Sequence, residues 1–361
     1  MHKMEVELGA RSYPICIGSG IADEIAAFVR EADYSQRGMI VTDTNIAPLC
    51  AEPIAAVLAD AGVQAELVTV SAGESSKSLA QANRLFTRAI ELGLDRKSPI
   101  FALGGGVVGD LTGFVAATYM RGVPFIQLPT SLLAQVDASV GGKVAVNHPL
   151  GKNLIGAFYQ PDAVFMDLDL LRTLPVREIA TGLGEIIKYG VIYDADFFDW
   201  LAQNRADVLA LEPAAAAHMI ARSCAIKADV VRQDEREGGL RRILNFGHTI
   251  AHAIEKETGY ARYRHGEAVA IGMAGAADIS VQMGLFSDSD RTRMNELIGA
   301  MGLPLFAEGV AADALYAALF HDKKTVDGHL HWVLAEGIGR VSVRNDVPED
   351  MVRRALMGIC A

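Results

Sequence analysis

The sequence predicts an α/β first half, Rossmann-like with a mostly parallel sheet, followed by a mainly α-helical second half. Three observations lead there. Between residues 38 and 166, short apolar runs alternate with segments of helical spacing. After Pro175, apolar residues recur almost only at intervals of three and four. Residues 100–110, IFALGGGVVGD, run an apolar strand straight into three glycines and a helix. Sheets of this class bind ligands at such carboxyl ends of strands.

Taken in order, residues 5–17 alternate around Gly9 and predict a hairpin. Residues 38–42 (GMIVT) predict a strand, 48–61 a helix, 63–70 a strand, 77–92 a helix and 99–103 another strand. Residues 107–119 follow as a helix, with 124–128 and 163–166 as strands. Strands this apolar are buried on both faces, which suits a parallel sheet. Helical spacing then covers 178–203, 213–232, 243–257, 266–283, 288–301 and 311–319. The late strand signals are 329–334 and 340–343. A boundary at Leu174 divides an α/β half, 1–174, from a helical half, 175–361, which holds a histidine-containing stretch whose partners could come from across a cleft.

The bulk composition agrees with a globular protein of this size. Half of the 361 residues are hydrophobic and about a fifth are charged, enough for real cores and too apolar for extensive disorder. A formal charge of −11 argues against nucleic acid or an acidic membrane surface as partner. An anionic small substrate then requires bases gathered locally. Cys16, Cys50, Cys224 and Cys360 are widely spaced without a CxxC pair, which suits thiols in a reducing cytoplasm. The N-terminus alternates charged and apolar residues and does not read as a signal peptide. Residues 268–283, the most apolar run, contain Asp278 and glycines and read as a buried helix, not a membrane span.

The glycine loop suits a phosphate. Glycine lets backbone approach closely, and a helix N-terminus offers unpaired N–H groups and positive dipole. Asp43 and Asn45 follow one strand, where an acid can hold ribose hydroxyls, and Glu74, Ser75, Ser76 and Lys77 follow the next. Loops after successive strands suggest a dinucleotide, NAD. Two glycine–lysine stretches, at 141–143 and 151–153, read as bends that each carry a lysine, Lys143 and Lys152. With Lys188, Lys227, Arg241 and the pair Lys323–Lys324 they could serve phosphate or carboxylate.

Metal-binding chemistry is concentrated in 245–273. His248 and His252 stand four apart on one helical face, and His265 opens the next helix. Thr249 occupies the place of the Glu in HExxH, so this is not that protease motif. In GLGEIIKYG, Glu185 shares an apolar face with Lys188. It is either an intrahelical ion pair or a further metal ligand, since a buried carboxylate needs a cation.

Four stretches in order, LPTSLLAQVDASVGGKVAVNHPLGKNLIGAFYQP, GLGEIIKYG, EREGGLRRILNFGHTIAHAIE and RHGEAVAIGM, resemble the 3-dehydroquinate synthases. The resemblance runs from the Asp43 loop to Lys324. Ser131 and Val144 stand where that family often has threonine. The resemblance implies a homodimeric cytoplasmic carbon–oxygen lyase with bound NAD and one divalent metal, zinc or cobalt. Its reaction converts 3-deoxy-D-arabino-heptulosonate 7-phosphate to 3-dehydroquinate and phosphate, the second step of the shikimate pathway. Transient oxidation by NAD, β-elimination of phosphate, re-reduction, ring opening and aldol closure make up the sequence of steps.

By motif position the resemblance implies Glu185, His248 and His265 as metal ligands, with His252 in the active site. Arg121, Lys143, Lys152, Asn153, Lys188, Lys227, Arg241, Asn245 and Lys324 match substrate positions. Asp43, Asn45, Glu74, Ser75, Ser76, Lys77, Gly106, Val107, Val108, Gly109, Asp110, Thr130, Ser131 and Asp137 match cofactor positions. Leu170, Leu171, Arg172 and Thr173 extend that set, Lys143 and Lys152 are shared with it, and Glu178 adjoins it. The alternatives are another sugar phosphate cyclase, such as a 2-deoxy-scyllo-inosose synthase, or a metal-dependent polyol dehydrogenase. Retention of Lys152, Lys227 and Arg241, bases suited to a substrate carboxylate, favours the first reading.

Overall fold

The computed structural model describes residues 1–320, 325–326 and 329–360. The chain divides into two compact units: Met1–Leu174 with Lys227–Arg232, and Pro175–Ile226 with Gln233–Ala361.

In the first unit, β1 (His2–Val6) and β2 (Tyr13–Gly18) pair as an antiparallel hairpin. There follow α1 (Ala22–Glu31), β3 (Arg37–Asp43), α2 (Glu52–Asp60), β4 (Gln64–Val70), α3 (Leu79–Glu91), β5 (Ile100–Gly104), α4 (Gly106–Thr118) and β6 (Phe125–Pro129). Then come β7 (Lys143–His148), β8 (Gly151–Phe158) and β9 (Ala163–Asp167). Seven strands form one sheet in the order β1-β2-β9-β6-β5-β3-β4, parallel throughout except for β1 with β2.

The apolar runs of β3 and β5 are explained by burial on both faces. Met39, Val41 and Ala102 pack into one core with Leu111 and Phe125, while Ile40, Phe101 and Leu103 pack into the other with Ile126 and Phe165. Each large apolar side chain so buried contributes about 1.5–3 kcal/mol. After β4 the chain returns to the other side of β3, so strand order reverses between β3 and β5. That reversal opens a crevice at the carboxyl ends of these two strands.

The glycine–lysine stretches are not two separate bends. Lys143 begins β7 and Lys152 lies near the start of β8, and the two strands pair antiparallel as a sheet of their own. The glycines mark where strands begin: Gly142, at φ 65°, turns the chain into β7. Val144 and Val146 of β7 are buried against α4. Gly113 permits that approach, because a Cβ there would lie 2.3 Å from Val144 Cγ1.

The second unit contains α5 (Val176–Tyr193), α6 (Ala195–Gln203), α7 (Arg205–Leu209), α8 (Pro213–Gln233), α9 (His248–Glu257), α10 (His265–Gln282), α11 (Asp288–Ala300), α12 (Ala312–Leu319) and α13 (Glu349–Ile359). The last six residues of α8 before Gln233 group with the first unit. Strands β10 (Thr325–Val326), β11 (His329–Leu330), β12 (Trp332–Gly337) and β13 (Arg340–Arg344) form two antiparallel pairs. The continuous helix expected over 178–203 divides at Asp194, whose side chain accepts from Phe197 N and caps α6. That over 243–257 divides as well: a 3-10 segment, Leu240–Asn245, gives way to α9 at Gly247, where φ is 78°.

Residues 268–283 lie largely within α10, which packs against α5, α9, α13 and β12. Among the described residues no helix is long and apolar enough to cross a membrane. Two glycine contacts set how α10 meets its neighbours. A Cβ on Gly266 would fall 1.9 Å from the Thr181 carbonyl oxygen of α5, and one on Gly272 2.1 Å from the Gly247 carbonyl oxygen. No side chain fits at either place.

Candidate active site

In the first unit, the loops at the carboxyl ends of β4, β3, β5, β6 and β9 carry residues 73–77, 43–45, 105–110, 130–131 and 168–173. Helix α4 starts just after β5 with Gly105 as N-cap, which supplies no side-chain cap to the first N–H groups, those of Gly106, Val107 and Val108. The Val108 side chain is buried in the core, which leaves only its backbone for a ligand. Asp110 is ion-paired with the buried Lys77, which ties the 73–77 loop to α4. Burial pushes the Asp110 carboxyl above its ordinary pKa, with Lys77 opposing that rise.

Other side chains in this set hold the loops themselves. Asp43 Oδ1 accepts from the backbone N–H groups of Asn45 (2.8 Å) and Ile46 (3.1 Å). Ser76 donates to the Ser71 carbonyl at 2.5 Å, while Ser75 is exposed. Thr130 is buried, and Ser131 Oγ accepts from Ala134 N at 3.3 Å. Thr173 Oγ1 donates to the Leu170 carbonyl at 2.6 Å; Leu171 is buried and Arg172 exposed. Glu74 accepts from Asn147 Nδ2 at 2.7 Å and lies 3.7 Å from Lys152 Nζ, joining its loop to the β7–β8 tip. Asn153 there has φ 55°. Lys227 donates to both the Asp137 carboxylate (2.5 Å) and its carbonyl (2.6 Å).

The bases of this unit are not one cluster. Lys143 pairs with Phe158 at the base of the hairpin and Lys152 lies near its tip, roughly 13 Å apart by strand rise. Arg121 follows the far end of α4, on the order of 20 Å from the glycine loop. Its neighbour Gly122 lies by Tyr159, and Tyr159 N donates to the Gly142 carbonyl at 2.7 Å, so this end of the unit carries Arg121 and Lys143.

In the second unit the metal-type residues converge. One donor atom each of Glu185, His248 and His265 lies within 4.8 Å of the others. Glu185, fully buried on α5, places Oε1 3.4 Å from His248 Nε2 and 3.6 Å from His265 Nε2. Both imidazoles thus present Nε2 to one carboxylate. The glycine contacts are what bring them there: Gly184 precedes Glu185, Gly266 follows His265 and Gly247 precedes His248. Lys188 also pairs with Glu185, so the ion pair and the histidine cluster coexist in one buried group. Burial works against charging His265, yet the carboxylates of Glu185 and Glu255 outweigh it and push its pKa up to about 10. The carboxylate–imidazole donor set fits zinc or cobalt.

His252 is not in the converging group, although its ring centroid lies 5.7 Å from that of His248. Arg241 is buried; its N–H donates to Asp234 at 3.0 Å and its Nη1 to the Glu235 carbonyl at 2.5 Å. Asn245 donates to Glu237 at 2.8 Å. Glu178 lies in this unit, 3.1 Å from Arg264 Nε. Lys324 lies outside the described residues. Sequence reasoning passed over Glu255, 3.3 Å from His265 Nδ1, and the Arg177–Glu267 pair that anchors the segment before His265. The signal for Glu255 was present: it stands seven residues after His248, on the same helical face.

Comparison with known proteins bears on what this geometry serves. A family described as 3-dehydroquinate synthase N-terminal matches residues 67–181, and 3-dehydroquinate synthase C-terminal matches 182–325. The 3-dehydroquinate synthase of Desulforamulus reducens is 52% identical over 350 residues, 97% of this chain and 98% of that protein. Among solved structures, 2-epi-5-epi-valiolone synthase from Streptomyces hygroscopicus subsp. jinggangensis, with NAD+ and Zn2+ bound, superposes with TM-score 0.89 at 29% identity, covering 98% of this chain and 97% of that one. A 2-deoxy-scyllo-inosose synthase complexed with carbaglucose-6-phosphate, NAD+ and Co2+ gives 0.90 at 27%, covering 98% and 99%. Sequence likeness is thus about twice as high to the first relative as to the other cyclases, and the chain belongs to the 3-dehydroquinate synthase family.

Proposed function

We propose that this chain converts 3-deoxy-D-arabino-heptulosonate 7-phosphate to 3-dehydroquinate and phosphate. The observation that carries this is 52% identity to a 3-dehydroquinate synthase over nearly the full length of both chains. NAD and one divalent ion, zinc or cobalt, are the cofactors. When bound, NAD supplies the reversible oxidation that acidifies a neighbouring C–H, and the metal supplies Lewis acidity toward substrate oxygens.

The chain's own residues do the rest. The uncapped start of α4 takes the pyrophosphate, Asp43 the ribose, and the Lys77–Asp110 pair holds two of the loops in register. Glu185, His248 and His265 hold the metal. Lys152, Asn153, Lys188, Lys227, Arg241 and Asn245 clamp the substrate's phosphate, hydroxyls and carboxylate. Arg241, buried and directed by the Asp234–Glu235 loop, is suited to the carboxylate. His252, one turn from His248, moves a proton beside the metal without ligating it. The substrate's phosphate accepts the proton of the carbon next to the new ketone as it leaves.

The working form is a cytoplasmic homodimer. The apolar exposed residues Leu150 and Leu154 on and beside β8 support an interface between copies, and the absence of disulfides among the four cysteines supports a reducing compartment. The test is release of inorganic phosphate by the metal-replenished protein with NAD. Turnover of the heptulosonate phosphate is the expected result. Turnover of glucose 6-phosphate alone would instead establish a 2-deoxy-scyllo-inosose synthase type of activity.

A further inference from the structure

Helix α9 carries His248, His252 and Glu255 at positions i, i+4 and i+7, so the three lie along one face. Glu255 is buried, and a carboxylate in such a place is costly unless it is paired. Its Oε1 lies 3.3 Å from Nδ1 of His265. The other ring nitrogen, Nε2, lies 3.6 Å from Glu185 Oε1. The two carboxylates therefore address opposite nitrogens of one imidazole.

His248 has the same arrangement with a different backing group. Its Nε2 is directed to Glu185 Oε1 at 3.4 Å, while Nδ1 lies 3.2 Å from the Phe246 carbonyl oxygen. A neutral imidazole has one N–H and one lone pair. An acceptor at Nδ1 holds the proton there and leaves the Nε2 lone pair for a cation held together with Glu185. At His248 a backbone carbonyl does this; at His265 a carboxylate does it, and a carboxylate also raises the basicity of the ring.

We propose that Glu255 is a positioning residue that fixes the tautomer and ring orientation of His265 and strengthens its bond to the metal. The proposal rests on the metal reading of Glu185, His248 and His265. Outer carboxylates of this kind change metal affinity by about 10- to 100-fold when removed.

The test measures Zn2+ affinity of the full chain by competition with a chromophoric chelator, together with the visible absorption of the Co2+ form. Glu255→Ala is expected to weaken Zn2+ binding toward the upper end of that range and to shift the Co2+ bands. Glu255→Gln, which can still accept from Nδ1–H but lacks the charge, is expected to weaken it about 10-fold. NAD affinity stays at the wild-type value. In a His265→Ala background, Glu255→Ala causes no additional loss, because the two residues act as one unit. Wild-type Zn2+ affinity in both Glu255 variants overturns the proposal, as does a fully additive loss in the double variant. Should Glu255→Ala fail to fold, the isosteric Gln variant alone decides. Undiminished Zn2+ binding by His265→Ala would sink the metal reading and this inference with it. Zn2+ binding lost in His265→Ala but intact in the Glu255 variants sinks only the inference.

Discussion

The two units build their sites from different materials. The first relies on backbone: an uncapped helix start and loops that lie side by side because their strands are neighbours in the sheet. The second relies on side chains from three helices, seated by close contacts in which glycine is the only residue that fits. Backbone sites tolerate changes in side chain and depend on topology. Side-chain sites of this kind depend on helix crossings, so a single methyl group can displace all of the converging side chains.

Metal removal should separate the two most strongly. Chelation is expected to lower phosphate release by at least about 10³-fold, with recovery on adding zinc or cobalt, while NAD affinity measured by calorimetry stays within about twofold. His265→Ala should do the same without recovery. An NAD affinity that falls together with the metal would remove the distinction between the units.

Next in size is the glycine contrast. Gly266→Ala places its methyl 1.9 Å from the Thr181 carbonyl, which is backbone and cannot yield, so a loss on the order of 3 kcal/mol or more in urea unfolding is expected. Gly113→Ala in the first unit meets the buried Val144 and Phe125 side chains instead of backbone and should cost less, about 1–3 kcal/mol. Equal losses would show that both units are equally rigid at these crossings.

Lys77→Ala breaks the ion pair that ties the 73–77 loop to α4 and leaves a buried carboxylate. A loss on the order of 2–3 kcal/mol is expected, reduced when Asp110→Asn is added, and NAD affinity should fall with it. Unchanged NAD binding would mean that backbone alone sets these loops.

The smallest effect is at acid pH. Burial works to raise the Glu267 pKa, but its bonds with Arg177, the Arg264 N–H and the Arg264 charge lower it below the ordinary 4.5. A depressed carboxylate pKa stabilises the fold fully above about 4.5 and loses that contribution as pH falls through the lowered value. Glu267→Gln should therefore narrow the gap in melting temperature between pH 6 and pH 3.5. An identical gap in the variant would count against this pair as an anchor of the segment before His265.

Much of this was legible in the chain. Periodicity identified the strands from residue 38 to 166 and the helices after 175, because burial pattern is a local property of the sequence. The glycine loop could be read for the same reason: strand, glycines and helix are consecutive. The β7–β8 hairpin was missed because its glycines resemble turn signals, although Val144 and Val146 alternate as a strand should. Glu255 was missed because a glutamate near the end of a helix is ordinarily solvated, and only packing shows that it is buried against His265.

The sequence by itself determined the alternation of elements, the glycine loop, and the residue types available for metal and anion chemistry. Spacing along α9 marked His248 and His252 as neighbours, but spacing within one helix cannot say which neighbour faces a ligand from another. Only the tertiary structure decided that Glu185 meets His248 and His265 through Nε2, that Glu255 stands behind the second of them, and that Lys143 and Lys152 occupy opposite ends of a hairpin. Those relations depend on how helices cross at Gly184, Gly266, Gly247 and Gly272 and on which strands pair, and both are set by contacts between segments far apart in the chain.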